Sequence, residues 1–168
     1  MKKVVQIFLI IVCAITATMP LFAQNDSTNQ RITLHKISAS IIPPKHFIYD
    51  SITDKISHPG SLATIQINEV RNRNYKKITA AMTEKYMASQ GFALIDKLET
   101  KMQNGDDAVI FRCKFKSHDD KGRELDFIRL LLFTGTESTI WITADFPECM
   151  GKLIERAITD CITSIQNN

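Results

Sequence analysis

Hydrophobic and polar residues alternate most regularly in "DAVIFRCKFKS" (residues 107–117), and this alternation predicts a β-strand with one buried and one wet face. The apolar face consists of Val109, Phe111, Cys113 and Phe115. Basic residues occupy the opposite face, which we expect to contact solvent.

Three further segments predict strands joined to this one by short connections. They are "FALIDKLETKM", "RELDFIRLLLFTG" and "STIWITADF". In the first, we expect one face to consist of Phe92, Leu94, Leu98 and Met102. The second is apolar on both faces near its end, which is typical of a central strand covered on both sides. The short connections predict an antiparallel meander of four strands.

The first half of the chain predicts two or three strands and a helix. "RITLHKISASII" predicts a strand, "FIYDSITDKI" a short strand or hairpin arm, and "LATIQINEV" a strand with Ala63, Ile65 and Ile67 on one face. "YKKITAAMTEKYMASQ" (residues 75–90) has apolar residues at helical spacing, with Asn74 as its N-cap and Gly91 as its stop.

The last segment, "ECMGKLIERAITDCITSIQ", predicts a long helix, because its apolar residues form one continuous stripe. The stripe contains Met150, Leu153, Ile154, Ala157, Ile158, Cys161, Ile162 and Ile165. The order of elements predicts an α+β fold, an antiparallel β-sheet sandwiched by helices with a long C-terminal helix. We expect residues 31–168 to form a single domain of this class.

The N-terminal residues predict an export signal rather than part of the fold. A basic start and a short apolar run precede Ala23, which occupies a cleavage position. This pattern is typical of a secretory signal peptide, here residues 1–23, and a polar, disordered tail would follow at residues 24–30. The apolar run is shorter than the roughly 20 residues that span a bilayer. We therefore expect a periplasmic or secreted protein whose mature form does not span a membrane.

Charge and cysteine content limit the classes of function. The net charge of the chain is +3, and it falls to +1 once Lys2 and Lys3 are removed with the signal peptide. This small surplus argues against nucleic acid as a partner, because such binding needs a larger basic excess. Cys113, Cys149 and Cys161 remain, so at least one thiol is unpaired or bridges to another molecule.

The three cysteines differ in their expected environments. Cys113 and Cys161 lie on apolar faces and are expected to be buried, and a bridge between them stays open. A bridge between Cys149 and Cys161 is excluded, since 12 helical residues span about 18 Å. Cys149 lies at a helix start, where the helix dipole favours a thiolate, and is the one cysteine to test for reactivity.

Two turn segments contain the adjacent carboxylates of the chain. Asn104-Gly105 predicts a type I′ hairpin turn, in which both central residues need positive φ. Asp106 and Asp107 are then turn residues rather than metal ligands, and "HDDKG" (residues 118–122) predicts a second such turn. The histidines show no metal-ligand spacing and no catalytic or nucleotide-binding motif is found, so we predict no catalytic residue, metal or cofactor.

The segment "RNRNYKK" is the candidate partner-binding surface. It contains Arg71, Arg73, Lys76 and Lys77. Positive charge at a helix N-terminus opposes the helix dipole, so a surface for an acidic partner is one interpretation and a solvated loop is the other. Arg129 interrupts an apolar strand face and must find a partner or reach water, and Trp141 is expected in the core. We include Arg129 and Trp141 among the candidate partner-binding residues.

The order of the elements resembles the PsbP-like superfamily, which includes small exported bacterial envelope proteins of the DcrB kind. The resemblance rests on the export signal and on "IIPPKHF", "SHPGSLATIQI", "GFALIDK", "NGDDAVIFRCKF" and "IWITADFP", and it covers most of residues 32–165. It implies an antiparallel sheet sandwiched by helices and a non-catalytic protein that binds protein partners. It offers no motif of catalytic residues.

We therefore expect a non-enzymatic envelope or periplasmic domain that acts by binding an envelope protein. Two alternatives stay open. The first is a carrier that holds a small apolar ligand between the sheet and the C-terminal helix. The second is a thiol-dependent enzyme that uses Cys149.

Overall fold

The computed structural model describes residues 30–119 and 121–168. The predicted signal peptide, most of the polar tail and Asp120 lie outside the described residues. The strands are β1 (Ile32–Thr33), β2 (Ala39–Ile41), β3 (Ile48–Asp50), β4 (Lys55–Ser57), β5 (Thr64–Val70), β6 (Ala93–Lys101), β7 (Asp107–His118), β8 (Glu124–Thr134), β9 (Thr139–Pro147) and β10 (Gln166–Asn167). The helices are α1 (Tyr75–Ala81), α2 (Glu84–Ser89) and α3 (Gly151–Thr163), and a 3₁₀ turn at Glu148–Met150 precedes α3.

Seven strands form one antiparallel sheet in the order β3-β4-β5-β9-β8-β7-β6. The predicted meander is its β6-β7-β8-β9 part, and β5 extends it by pairing with β9. A small second sheet, β1-β2-β10, joins the two ends of the described chain. Helices pack on both faces of the large sheet, so the expected α+β class is confirmed.

The larger core lies between the seven-stranded sheet, α3 and the small sheet. Helix α3 contributes Ile158, Cys161 and Ile162, each with 2% exposure or less. The predicted inward face of β5 is confirmed, because Ala63, Ile65 and Ile67 are all buried here. Leu34, Ala39 and Ile41 add the small sheet to the same core.

The second core lies on the other face of the sheet, under α1 and α2. Tyr75 of α1 and Met87 of α2 pack on side chains of β7 and β8. Those side chains are Val109, Phe111, Cys113, Leu131 and Phe133. The alternate residues of β8 face the larger core, so β8 is covered on both sides as its apolar sequence predicts.

The predicted helix over residues 75–90 is wrong in one respect, because the structure divides it into α1 and α2. Asn74 caps α1 as expected, and its side chain accepts the backbone N–H of Lys76 at 2.8 Å. Helix α1 ends at Ala81 with Met82 as its C-cap. The Thr83 hydroxyl then accepts the backbone N–H of Tyr86 at 3.2 Å, which starts a new helix. The segment therefore forms two short helices instead of one.

The predicted single apolar face of β6 is also wrong. The pairing with β7 shifts between Leu94 and Asp96, so Ile95 is an extra residue in a β-bulge. A bulge reverses the alternation of faces. Leu94 therefore packs on the second core, whereas Met102 packs on the larger core and Leu98 points the same way with 56% exposure.

The ends of the chain depart from prediction in three places. "RITLHKISASII" forms the hairpin β1-β2 instead of one strand, closed by a hydrogen bond of 2.9 Å from the Leu34 N–H to the Ala39 carbonyl. Strand β10 was not expected and pairs with β2. Leu153 and Ala157, which we placed on the apolar stripe of α3, are exposed, because they lie at its margin.

No helix within residues 30–119 and 121–168 is long and apolar enough to cross a membrane.

Candidate interaction surface

The basic segment lies in the loop from β5 to α1 and in the first turn of α1. This loop is fixed to the hairpin between β8 and β9 by two hydrogen bonds. The Thr139 hydroxyl donates to the Arg73 carbonyl at 2.6 Å, and the Tyr75 N–H donates to the Gly135 carbonyl at 3.2 Å. The backbone under the basic side chains is therefore held in place by both sides of the hairpin.

The basic side chains differ in how far their charge is already balanced. Arg71 forms an exposed ion pair with Glu69 at 3.2 Å. Arg73, Lys76 and Lys77 are exposed, and none of them belongs to an ion pair within the described part of the chain. Three positive charges are thus available to an acidic group from outside the chain.

Trp141 lies on β9, two residues after the Thr139 that binds this loop, and the prediction that it belongs to the core is wrong. Its ring stacks on Phe133 with centroids 5.8 Å apart and planes 19° apart. It nevertheless keeps 37% of its surface exposed. Trp141 therefore closes the margin of the second core and also presents a large aromatic surface to solvent.

The sheet around Trp141 is not covered by helices. The side chains that pack with α1 and α2 come from β6, β7 and β8, so these helices leave the same side of β4, β5 and β9 uncovered in the part of the chain that the structure describes. We call this surface the open face, and its residues are Lys55, Gln66, Asn68, Trp141 and Thr143. The pairs Lys55–Gln66, Gln66–Thr143 and Asn68–Trp141 place them on one side of neighbouring strands.

Sequence reasoning missed the polar part of the open face, although a signal for it is present. In "LATIQINEV" the residues between the buried Ala63, Ile65 and Ile67 are polar, namely Gln66 and Asn68. This alternation indicates that β5 has one side free of apolar packing. Lys55 carries no such local signal, since its position follows from the pairing of β4 with β5.

Arg129 lies at the far end of the same sheet side, where its charge is balanced inside the chain. Two hydrogen bonds of 2.6 Å join its guanidinium to Asp145. The guanidinium also lies 4.7 Å from the ring centroid of Phe92 and 4.9 Å from that of Phe115. The structure thus links the strand of Trp141 to the basic segment through Thr139 and leaves Arg129 as a half-buried residue with its own partner.

The turn at Asn104-Gly105 is a hairpin turn as expected, but the prediction of type I′ is wrong. Gly105 has φ of 91°, whereas Asn104 is not among the residues with positive φ. The Gly105 N–H donates to the Met102 carbonyl at 3.0 Å and the Met102 N–H to the Asp106 carbonyl at 2.8 Å, which gives a three-residue loop. Asp107 pairs with Lys101.

No group of three metal-ligating side chains is found within residues 30–119 and 121–168. The second predicted turn, in "HDDKG", has the same type of hydrogen bond and the same positive φ at glycine as the turn at Asn104-Gly105. The Gly122 N–H donates to the Asp119 carbonyl at 2.9 Å, and Gly122 has φ of 73°.

The three cysteines within the described residues, Cys113, Cys149 and Cys161, form no disulfide. Cys113 belongs to the second core and Cys161 to the larger core, so the sheet separates them and the bridge left open above is excluded. Burial raises the pKa of the Cys113 thiol to about 11 and raises that of Cys161 as well. Cys149 is exposed in the 3₁₀ turn before α3.

The clefts of the structure differ from the site that a carrier would use. A cleft of about 420 Å³ opens between α1 and β6-β7 and is lined largely by polar side chains, including Lys76, Lys97, Glu99 and Asp107. The interface between α3 and the sheet, in contrast, is filled by side chains with no exposed surface, such as Ile158 and Ile162.

Comparison with known proteins gives structural similarity alone. No family model and no curated protein matches the sequence. The fold is similar to cyanobacterial PsbP. That solution structure, from Synechocystis, has 12% sequence identity and a TM-score of 0.49, and the match covers 89% of this chain and 98% of the other.

A crystal structure from Bacteroides thetaiotaomicron is also similar, with 12% identity and a TM-score of 0.46. The match covers 78% of this chain and 45% of the other. The first similarity is to the family that the sequence resembles. Because both TM-scores lie below 0.5, the fold assignment stands on the strands and helices of the chain itself.

Proposed function

We propose that the chain is a non-enzymatic, exported envelope domain that binds an acidic surface of a protein partner. The open face and the basic segment would form the binding surface together. The observation that carries this proposal is the exposed Trp141 on the strand whose Thr139 hydroxyl binds the Arg73 carbonyl, together with Arg73, Lys76 and Lys77, which form no ion pair in the described part of the chain.

The composition of this surface supports a protein partner. Tryptophan and arginine are enriched among the residues that dominate binding energy at interfaces. Trp141 is held against Phe133, so it loses little conformational freedom when it is covered. The exposed Asn68 side chain can supply hydrogen bonds around this aromatic centre, whereas the Gln66 amide already donates to the Thr53 carbonyl at 2.9 Å.

The positive charges favour an acidic partner and predict salt-dependent association. Arg73, Lys76 and Lys77 lie in or next to a loop that hydrogen bonds hold in place. Exposed charges of this kind steer association and are screened at high ionic strength. Binding should therefore weaken between about 0.05 and 0.5 M salt, chiefly through a slower association rate.

Two variants test the surface. The protein is crosslinked to its neighbours in intact cell envelopes and is then purified. This is done with the wild type, with Trp141→Ala and with the triple variant Arg73→Glu, Lys76→Glu, Lys77→Glu. A matched control reverses three exposed lysines elsewhere, Lys45→Glu, Lys121→Glu, Lys152→Glu. We expect one envelope protein to be recovered with the wild type and the control, and roughly tenfold less of it with the two surface variants. Equal recovery with all four proteins, or no recovered partner, would contradict the proposal.

Export is supported by the N-terminal sequence pattern and has its own test. Cell fractionation should place the protein outside the cytoplasm, and mass spectrometry of the purified protein should show Gln24 as its first residue. An intact N-terminus in a cytoplasmic fraction would contradict export. No feature of the described residues favours the carrier or the thiol enzyme, so neither is proposed.

A further inference from the structure

Strand β6 forms one edge of the seven-stranded sheet, and no strand within residues 30–119 and 121–168 pairs with its outer side. It has nine residues, whereas β3 at the other edge has only three. The outer side of an edge strand presents backbone N–H and C=O groups that another strand can pair with. β6 is therefore the edge that offers a long surface for strand pairing.

Apolar side chains on β6 remain in solvent. Ile95 is 46% exposed and Leu98 is 56% exposed. Leu98 lies opposite Ile110 in the pairing with β7, so it points toward the side of the sheet that carries α3. Exposed apolar residues on a long edge strand mark a place where a second strand would bury surface.

We propose that β6 pairs with β6 of a second copy of this chain, antiparallel, with the two-fold axis at Leu98. In this arrangement Leu98 lies opposite its own equivalent. Lys97 of each copy lies opposite Glu99 of the other, which gives two pairs of opposite charge. Asp96 lies opposite Thr100. Two seven-stranded sheets then become one continuous sheet.

The charges select this register over its neighbours. An axis at Lys97 would place two lysines opposite each other, and an axis at Glu99 would place two glutamates opposite each other, both of which are destabilising. The axis at Leu98 replaces both repulsions with attractions and adds an apolar pair. The bulge at Ile95 lies outside residues 96–100 and leaves this central pairing intact.

The same charges indicate why the partner strand is a second copy. Lysine on an edge strand normally hinders pairing with other strands. In a two-fold interface each copy supplies the same residues, so Lys97 always finds Glu99 and the hindrance disappears. The edge at β6 lies at the end of the sheet away from the open face of β4, β5 and β9, although Lys76 of the basic segment lines the same cleft as Lys97 and Glu99. The pairing involves β6 alone, so this inference does not rest on the proposed function.

Charge exchange between two variants tests the pairing. Analytical ultracentrifugation of the wild type over a concentration series should show a dimer. Lys97→Glu alone and Glu99→Lys alone should each weaken it at least about tenfold, because each puts like charges opposite each other twice. An equimolar mixture of the two variants should form a heterodimer, since every facing pair is then of opposite charge.

Two controls keep this test decisive. The double variant Lys97→Glu, Glu99→Lys should dimerise like the wild type, and Lys152→Glu on α3 should do so too. Circular dichroism of each variant checks that the sheet is intact. A wild type that stays monomeric at millimolar concentration, or single variants that dimerise as well as the wild type, would overturn the proposal.

Crosslinking checks the position of the axis. In a Cys149→Ser background, Leu98→Cys should form an intermolecular disulfide under mild oxidation, because each new thiol faces its equivalent. Asp96→Cys should not, because it faces Thr100. Efficient crosslinking through position 96 and none through position 98 would rule out this register.

Discussion

Arg129 and Asp145 face each other across β8 and β9 and are joined by two hydrogen bonds of 2.6 Å. Phe92 and Phe115 lie against the guanidinium, and the two charged side chains are 24% and 20% exposed. A charged residue can therefore occupy an otherwise apolar strand, because one carboxylate and two aromatic rings surround its charge.

Asp145→Ala should destabilise the protein by about 2–3 kcal/mol, because it leaves the half-buried guanidinium without its partner. The double variant Arg129→Met, Asp145→Leu should recover most of this loss, since no unpaired charge remains. Urea unfolding measures the free energy of unfolding of both variants. Asp160→Ala is the control, because the exposed pair with Arg156 is 4.0 Å long and should contribute less than about 0.5 kcal/mol. Equal losses at positions 145 and 160 would contradict this interpretation.

Asp54 is a buried carboxylate that ties the first hairpin to the large sheet. It accepts hydrogen bonds from the Tyr49 hydroxyl at 2.5 Å and from the backbone N–H groups of His35 and Lys36 at 3.0 and 2.7 Å. Asp54→Ala should cost about 2–4 kcal/mol in urea unfolding, because it leaves these donors without an acceptor. Asp50→Ala, at an exposed turn, should cost clearly less.

The same cluster predicts a pH dependence with opposite signs in acid and alkali. Burial, the largest single influence, raises the pKa of Asp54, but the three hydrogen bonds together outweigh it and hold that pKa below its ordinary 3.8. The folded state thus binds this proton more weakly than the unfolded state. The stabilisation is present above pH 3.8 and is lost as pH falls through the lowered pKa.

For Tyr49, burial and then the bond to Asp54 raise the pKa from 10.0 to about 12. Its stabilisation is complete below pH 10 and is lost as pH rises toward 12. The free energy of unfolding of Tyr49→Phe should therefore lack the decline that the wild type shows in this range. An identical alkaline decline in both proteins would exclude Tyr49 as its source.

The meander could be predicted from the sequence because alternation along a strand is a local property. The face of β6 could not, because one bulged residue, Ile95, reverses the alternation without any change in composition. The break between α1 and α2 did leave a signal, since Thr83 followed by Glu84 is a typical N-cap and first turn. The apolar spacing across residues 75–90 obscured it.

The candidate site was predictable only in part. The basic segment is contiguous in sequence, so its charge was visible at once. The exposure of Trp141 depends on where α1 and α2 stop covering the sheet, which is a tertiary property. The hairpin β1-β2 depends on pairing with β10 at the other end of the chain, and no local pattern records that contact.

Gly135 occupies a position that no other residue can take without strain. Its φ is 100°, and a Cβ there would overlap the Ser138 carbonyl oxygen. Gly135→Ala should therefore cost about 2 kcal/mol or more and loosen the Tyr75 N–H bond that holds the basic segment. Gly105→Ala is a matched control, because φ is 91° but nothing lies within 4 Å of the added Cβ, and it should cost about 1 kcal/mol. Thermal unfolding that ranks the two variants in the opposite order would contradict this.

Thiol labelling should separate Cys149 from the two buried cysteines. A thiolate is the reactive form, and burial raises the pKa of Cys113 to about 11, so at pH 8 this thiol is both protonated and inaccessible. Iodoacetamide should modify Cys149 in the folded protein, and it should modify Cys113 and Cys161 only after denaturation, as read by peptide mass spectrometry. The sheet lies between Cys113 and Cys161, so no disulfide between them should appear under oxidising conditions. A recovered peptide in which these two cysteines are linked would contradict their placement on opposite sides of the sheet.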